Sequence, residues 1–276
     1  MRTILAGAAL GLMLVALTSA PVTSQGRGAA LRQGSGQAPK NGAAAKSGPD
    51  VKGPAPRLPN GKPSMAGVWD NTRRADVANK AIPGFVKELP YTAWGKAKWE
   101  GYDKFMQTNG DYVGNCLPFG MSRSLYGPHP LQIMHDNDHL VMLFEQNSMF
   151  HLVPTDGRPF TKDLPPSWFG ESVGRWDGDT LVVETVNLNG FTRVDTIGHP
   201  MSARARITQT FKRVNFGTIE HTFTFTDPKT YTSPWTVHDT WALEPETKLL
   251  EYACMENNRA FYEGRIKPFI PPDDVD

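Results

Sequence analysis

The pattern that most constrains the fold is a pair of successive antiparallel hairpins within residues 171–225. In the first hairpin, residues 172–176 and residues 180–186 have the composition of β-strands, and they flank the glycine-centred turn Asp177-Gly-Asp179. A glycine turn between two such arms is a strong local signal for a hairpin. This part of the chain therefore predicts two strands that pair directly.

The second hairpin extends the same sheet. Residues 203–213 return through Asn215-Phe-Gly217 into residues 218–226. In residues 218–226, isoleucine, histidine and phenylalanine alternate strictly with threonine and glutamate. An antiparallel sheet with one apolar face must coil, stack or close to bury that face, and a closed sheet surrounds a core or a pocket. The two hairpins thus predict a β-meander with an enclosed interior.

Further strands are predicted on both sides of this meander. They cover residues 64–69, 131–135, 139–145 and 149–153 before it, and a last pair at residues 234–243 and 248–254 after it. Helical spacing occurs at residues 91–106, where Thr92 is a suitable N-cap. About nine or ten strands with short connections favour a mainly β fold. We expect an antiparallel meander that closes into a calycin-like barrel or a strongly coiled sheet, with one N-terminal helix.

The first 62 residues differ in composition from the rest. Arg2, the apolar run at residues 4–17 and Thr18-Ser-Ala20 have the order of a secretory signal peptide, which we assign to residues 1–20. Residues 21–62 contain almost no large apolar side chain, and they carry seven basic residues against one acidic residue. They are predicted to form a disordered basic tether, either a spacer or an adhesive for anionic envelope material.

Residues 63–276 are predicted to form a single β-barrel-like domain, with folded structure to about residue 270. This region holds 21 basic and 27 acidic residues. An acidic domain without a basic stripe argues against nucleic acid as a partner. The apolar run of the signal is too short for a stable membrane span. We therefore expect an exported protein, periplasmic or extracellular, whose oligomeric state the sequence leaves open.

The two cysteines, Cys116 and Cys254, both lie in the predicted exported domain. In an oxidising compartment an even number of cysteines indicates a disulfide bond. The alternative is two buried free thiols.

Polar side chains on apolar strand faces are the first candidates for a site. Strand parity places seven residues on such faces: Gln209, His221, Phe223, Phe225, Trp235, Asp239 and Trp241. A histidine near an aspartate in a dry pocket can act as a general acid or base, so His221 and Asp239 are candidate catalytic residues and the others candidate ligand contacts. The alternative is a structural hydrogen-bond network inside the barrel.

The connection at residues 191–202 is the second candidate, because it is too long for a tight hairpin. Asp195 and His199 lie four residues apart in it, flanked by Arg193 and Ser202. They form a second candidate catalytic pair, unless the loop is a plain lid in which Asp195 only makes a turn.

Arg175 and Glu184 lie on neighbouring predicted strands. They are candidate ligand contacts, and a cross-strand ion pair is the alternative explanation. The seven histidines lack the spacing of a zinc site, and there is no phosphate-binding or dinucleotide-binding motif. We predict no metal and no cofactor.

Several motifs resemble those of known proteins. Gly67-Val-Trp69 is similar to the Gly-x-Trp that opens lipocalin-like barrels. A wider set resembles a widespread group of secreted bacterial proteins of uncharacterised function, frequent in acidobacteria and proteobacteria. The set is Gly67-Val-Trp69, Cys116-Leu-Pro118, Asp156-Gly-Arg-Pro159, Ser172-Val-Gly-Arg-Trp-Asp-Gly-Asp-Thr-Leu-Val-Val183, Gly198-His-Pro200, Pro234-Trp-Thr236 and Leu250-Glu-Tyr-Ala-Cys-Met-Glu-Asn257. This resemblance implies export and a single domain, and it implies no activity.

The sequence therefore leaves three functions open. The first is an exported binding protein that holds a small apolar or aromatic molecule in a barrel-like pocket. The second is a cofactor-free lyase, isomerase or hydrolase that acts on such a molecule with histidine and aspartate. The third is an envelope scaffold without a pocket. A cavity lined by His221 and Asp239 favours the first two, and a filled interior favours the third.

Overall fold

The structure is a computed structural model that describes residues 50–70 and 75–276. The predicted signal peptide, at residues 1–20, and residues 21–49 of the predicted tether lie outside the described residues.

The described chain is organised around one nine-stranded sheet, so the prediction of a mainly β meander is confirmed. The strands are β1 (Gly67–Asp70), β2 (Leu131–His135), β3 (His139–Phe144), β4 (Met149–Pro154), β5 (Glu171–Asp177), β6 (Thr180–Val186), β7 (Arg206–Asn215), β8 (Thr218–Thr226) and β9 (Trp235–Leu243). Their order in the sheet is β4-β3-β2-β1-β9-β8-β7-β6-β5, and every neighbouring pair is antiparallel.

The sheet curls into a nearly closed barrel in which β4 and β5, the two edge strands, approach each other. The backbone N–H of Gly157, just after β4, donates to the carbonyl oxygen of Gly174 on β5 at 2.9 Å. We call this junction between β4 and β5 the seam. Because the seam shields both sheet edges, it leaves few unpaired backbone groups open to other chains.

Long connections gather at one end of the barrel. The helices α1 (Ala93–Glu100), α2 (Tyr102–Asn109) and α3 (Gly120–Leu125) lie between β1 and β2. In an antiparallel meander the connections at residues 187–205 and 227–234 are at that same end, which we call the helical end. The tight turns of the β5–β6 and β7–β8 hairpins lie at the opposite, hairpin end.

The predicted helix at residues 91–106 is two helices, because the chain breaks at Gly101. Its predicted cap is confirmed, since the Thr92 hydroxyl accepts from the N–H of Gly95 at 3.0 Å. Two further short helices, α3 and α4 (Arg259–Tyr262), were not predicted. None of the described helices has the length and hydropathy of a membrane-spanning segment.

The disulfide bond between Cys116 and Cys254 is confirmed, with Cα atoms 5.6 Å apart. The predicted strand at residues 248–254 is wrong, because that segment has no strand conformation and β9 pairs with β8 and β1 instead. Cys254 therefore ties a strand-free segment, not a last strand, to the connection between β1 and β2.

The predicted end of the tether also differs from the structure. Residues 50–62 lie against the hairpin end: Leu58 is buried, and Arg57 forms an ion pair with Asp179 at 2.8 Å. The N–H of Gly217 donates to the carbonyl oxygen of Val51 at 2.9 Å. The packed chain therefore begins earlier than its composition indicates.

Arg213 closes the hairpin end from within. Its guanidinium lies 4.9 Å from the ring centroid of Trp69 and donates to the carbonyl oxygens of Ser64 and Ala66 at 2.7 and 2.9 Å. This contact fixes the segment that enters β1 across the hairpin end of the barrel. A site is therefore expected at the helical end or in the interior.

Candidate functional site

The connection at residues 187–205 carries an unusual number of buried polar side chains for a loop. Thr192, Arg193, Asp195, His199 and Ser202 are all buried. Loops normally run over the surface because their polar groups need water, so each of these side chains requires a partner within the protein.

Asp195 and His199 form the tightest polar contact of this loop. Nδ1 of His199 donates to Oδ2 of Asp195 at 2.6 Å, and the exposed fractions of the two side chains are 5% and 0%. Asp195 also accepts the backbone N–H groups of Val77, Gly198 and His199, at 2.9, 3.1 and 3.2 Å. The carboxylate is therefore rigidly held, and it fixes both the ring orientation and the tautomer of His199.

The other ring nitrogen of His199 is available. Within residues 50–70 and 75–276, its Nε2 has no hydrogen-bond partner. The indole of Trp99 on α1 stacks on the imidazole with ring centroids 4.5 Å apart, and Tyr91 stacks on it at 6.5 Å. The stacked indole of Trp99 shields the imidazole from water, while the edge that carries Nε2 can meet a ligand.

Tyr91 adds a second polar group. Its hydroxyl is buried and has no hydrogen-bond partner in the described chain. Burial, with the negative charges of Asp195 and Asp76, raises the pKa of Tyr91 above its usual value. The hydroxyl therefore stays protonated and can donate.

Asp76 was not predicted from the sequence. Its Oδ1 lies 3.9 Å from Nδ1 of His199, and ligand atoms of Asp76, Asp195 and His199 lie within 4.8 Å of one another. Such a trio resembles the donors of a metal ion. Both oxygens of Asp195 already accept N–H groups, however, so the arrangement fits a hydrogen-bonded dyad better than a metal centre.

A second aspartate joins two loops at the helical end. Asp227 accepts from the N–H and the hydroxyl of Ser202, both at 2.7 Å, and from the hydroxyl of Thr230 at 2.6 Å. The Tyr231 hydroxyl donates to the carbonyl oxygen of Pro200 at 2.8 Å. Ser202, predicted to flank the catalytic pair, thus anchors the loop rather than facing His199.

The interior polar cluster consists of Gln209, His221 and Asp239. Register places His221 directly opposite Asp239. The hydrogen bond of His221 goes to Gln209, where Nε2 donates to Oε1 at 3.1 Å, and Oδ1 of Asp239 accepts from the N–H of Thr240 at 2.8 Å. Burial lowers the pKa of His221 to about 3, so the ring is neutral at physiological pH.

Aromatic rings fill the space around this cluster. The ring centroid of His221 lies 4.9 Å from that of Phe211 and 4.3 Å from that of Trp241. The rings of Phe225 and Trp235 stack at 5.2 Å, and Phe223 lies 6.0 Å from each of them. Parity correctly placed all seven predicted side chains on the interior face, but there they contact one another.

Five of the clefts on the described part of the chain are lined neither by His221 and Asp239 nor by Asp195 and His199. A ligand could reach the interior cluster only if the aromatic side chains moved. The helical end is favoured over the barrel interior as the place for chemistry, because Nε2 of His199 has no partner among the described residues, whereas His221 bonds to Gln209 and packs on aromatic rings.

Arg175 and Glu184 lie on the outer face of the sheet, away from the interior. The interior face of β6 is formed by Leu181, Val183 and Thr185, and Glu184 points to the other side. Glu184 lies 3.8 Å from Arg206, so the predicted ion pair with Arg175 is replaced by one with β7. The reason is register: Glu184 stands opposite Thr208 on β7, next to Arg206, whereas Arg175 stands opposite Val182.

Comparisons of this chain with protein-family models, with curated proteins and with solved structures found no match.

Proposed function

We propose that this protein is a cofactor-free acid–base enzyme that acts on a small apolar or aromatic molecule at the helical end of its barrel. The observation that carries the proposal is the bond of 2.6 Å between Nδ1 of His199 and the buried carboxylate of Asp195. An aspartate at Nδ1 leaves the lone pair on Nε2, which is the arrangement of a general base.

The neighbours of His199 support the same role. When Nε2 accepts a proton, Asp195 stabilises the imidazolium directly, and the face of Trp99 stabilises it by cation–π interaction. The protonated hydroxyl of Tyr91 is a hydrogen-bond donor for an oxygen on which negative charge develops. A base and a donor on one apolar wall suit proton abstraction next to a carbonyl, or activation of water for hydrolysis.

The test uses a panel of aromatic ketones and aryl esters in D₂O, followed by NMR. The expected result is deuterium incorporation beside a carbonyl, or ester cleavage, that His199→Gln abolishes although the variant is still folded at the assay temperature, as thermal unfolding shows. His238→Gln is the matched control, because His238 is an exposed histidine on β9. Equal rates for the wild type and His199→Gln would sink the proposal.

A second candidate function is ligand binding inside the barrel. One observation favours it: Nε2 of Gln209 is fully buried and has no hydrogen-bond partner among the described residues. A buried donor without an acceptor is rare in native proteins and marks a place where a ligand oxygen could bind. Native mass spectrometry of protein from its own cell envelope would detect such a ligand. Loss of the bound mass in His221→Gln would indicate that the ligand binds in the barrel interior.

Both proposals assume export. The disulfide between Cys116 and Cys254 is suited to an oxidising periplasmic or extracellular compartment. If neither turnover nor a bound ligand were found, the envelope scaffold would be the remaining function.

A further inference from the structure

A small cleft at the helical end contains a buried cation to which no anion is hydrogen-bonded among the described residues. The cleft lies between α1, α2 and the connection at residues 187–205, and its cavity volume is about 10 Å³. A volume of this size holds roughly one water molecule. We call it the arginine cleft, after Arg193.

Arg193 lies at the base of this cleft with only 6% of its surface exposed. Its guanidinium contacts two rings of α2, 4.9 Å from the ring centroid of Tyr102 and 4.8 Å from that of Phe105. No hydrogen bond or ion pair to this guanidinium is formed within the described chain. Burial accordingly lowers the pKa of Arg193.

An unpaired buried arginine is costly, because five N–H donors and a charge are taken from water without replacement. The two rings recover part of this cost by cation–π interaction, but they leave the N–H donors of the guanidinium without an acceptor. That edge is the part that binds a carboxylate through two parallel hydrogen bonds.

The other walls of the cleft define what else a ligand must be. Trp94, Phe191 and Met201 line it together with Lys98. An apolar wall with one strong anion-binding group is typical of a site for a small apolar acid.

Residues 271–276 cover the cleft in this structure. The carboxylate of Asp274 lies 2.6 Å from Nζ of Lys98, and the N–H of Ala203 donates to the carbonyl oxygen of Val275 at 2.8 Å. Val275 is nearly buried, and its Cβ packs on Gly190, where a side chain would collide with it. The segment thus places an acidic residue on the lysine of the cleft; the charge of Asp274 also acts on Arg193, but no hydrogen bond joins the two side chains.

We propose that the arginine cleft binds a small aromatic or apolar carboxylic acid, that its carboxylate pairs with Arg193, and that residues 271–276 move aside to admit it. This inference goes beyond the proposed function, since it requires no chemistry at His199. The segment and the ligand cannot occupy the cleft at the same time. A variant in which the segment covers the cleft in fewer molecules therefore has a higher apparent affinity for the ligand.

The test uses the full chain with two probes of the same shape, 2-naphthoate and the uncharged 2-naphthamide, measured by isothermal titration calorimetry. Asp274→Asn/Val275→Ser loosens the covering segment. It is expected to bind naphthoate about tenfold more tightly than the wild type does. It should also bind naphthoate about tenfold more tightly than naphthamide, because a hydrogen bond to a charged group is worth that much.

Adding Arg193→Gln to this double variant should remove the preference for naphthoate. Arg204→Gln is the matched control, an exposed arginine of the same loop, and should retain the preference. If Arg193→Gln fails to fold, Lys98→Met is added to the double variant instead; it removes the second cation of the cleft and should weaken naphthoate binding and leave naphthamide binding unchanged. Equal affinity for the two probes, or a preference that survives both substitutions, would overturn the inference.

Discussion

Nε2 of His151 on β4 lies 2.7 Å from the hydroxyl oxygen of Ser172 on β5, so a side-chain bond crosses the seam of the barrel. The Ser172 hydroxyl also lies 2.6 Å from that of Thr185 on β6. All three side chains are buried. This chain of hydrogen bonds joins the two edge strands where the ladder of backbone pairs ends.

Ser172→Ala should therefore destabilise the protein more than an ordinary serine substitution. It leaves His151 and Thr185 buried without their shared partner, at an expected loss of about 1–3 kcal/mol in the free energy of unfolding. Urea denaturation measures the loss. Ser233→Ala, at an exposed position, is the control and should be neutral. Equal stabilities of the two variants would mean that the seam does not depend on this bond.

Stability should fall in mild acid because of His151 and His221. Burial lowers the pKa of His151 to about 4 and that of His221 to about 3. Both rings are neutral in the folded protein, whereas the unfolded chain binds protons below about pH 6.5. The unfolded state thus holds more protons in this window, and stability is full above pH 7 and decreases from about pH 6.5 towards pH 4.

Each histidine should contribute a slope on the order of 1 kcal/mol per pH unit in that range. Carboxylates also titrate there, so the informative quantity is the difference between the wild type and a variant without the histidine. His221→Phe/Gln209→Leu should show a shallower decline between pH 6.5 and pH 4. Parallel curves would contradict the assignment of a neutral His221.

The same substitutions test the interior polar cluster by a double-mutant cycle. His221→Phe alone leaves the amide of Gln209 without its remaining partner and should cost about 1–3 kcal/mol. His221→Phe/Gln209→Leu removes both partners and should recover most of that loss, since two apolar side chains then pack among the aromatic rings. Thermal unfolding of the four proteins gives the coupling. Additive losses would mean that His221 and Gln209 are not energetically coupled.

The disulfide should be a large contributor to stability. Cys116 and Cys254 are 138 residues apart, and on the chain-entropy model a loop of this length contributes about 4–5 kcal/mol. Cys116→Ser/Cys254→Ser should lower the free energy of unfolding accordingly, in urea under non-reducing conditions. The wild type, denatured without reductant, should take up no thiol reagent. Uptake at two sites would contradict the bond.

Local rules in the sequence predicted the strands of the meander well. The bounds of β6 and β8 are those expected, because the turns at residues 177–179 and 215–217 and the alternation of side chains act within a few residues. The second partner of β9, beside β8, was predicted wrongly. It is β1, more than 160 residues earlier, and no local pattern specifies a pairing over that distance.

The candidate site was predictable to the same extent. Asp195 and His199 were identified because they are four residues apart in one loop, and the structure brings them into contact. Asp76 and Trp99 come from the β1–β2 connection, so only the fold assembles them around the imidazole. Arg193 was seen only as a flanking residue, since nothing in the sequence indicates that a loop arginine is buried without an anion.

The number of strands has a consequence for the seam. From β4 to β5 the sheet contains eight antiparallel steps, so these two strands run in the same direction. A ring of odd number cannot alternate throughout, and one junction must be parallel. A hairpin cannot make that junction, which explains why residues 155–170 travel back along the barrel before β5 begins. The odd number of strands therefore requires one interruption of the antiparallel ring, and the strand order puts it at the seam. Any slippage of strand register should begin there.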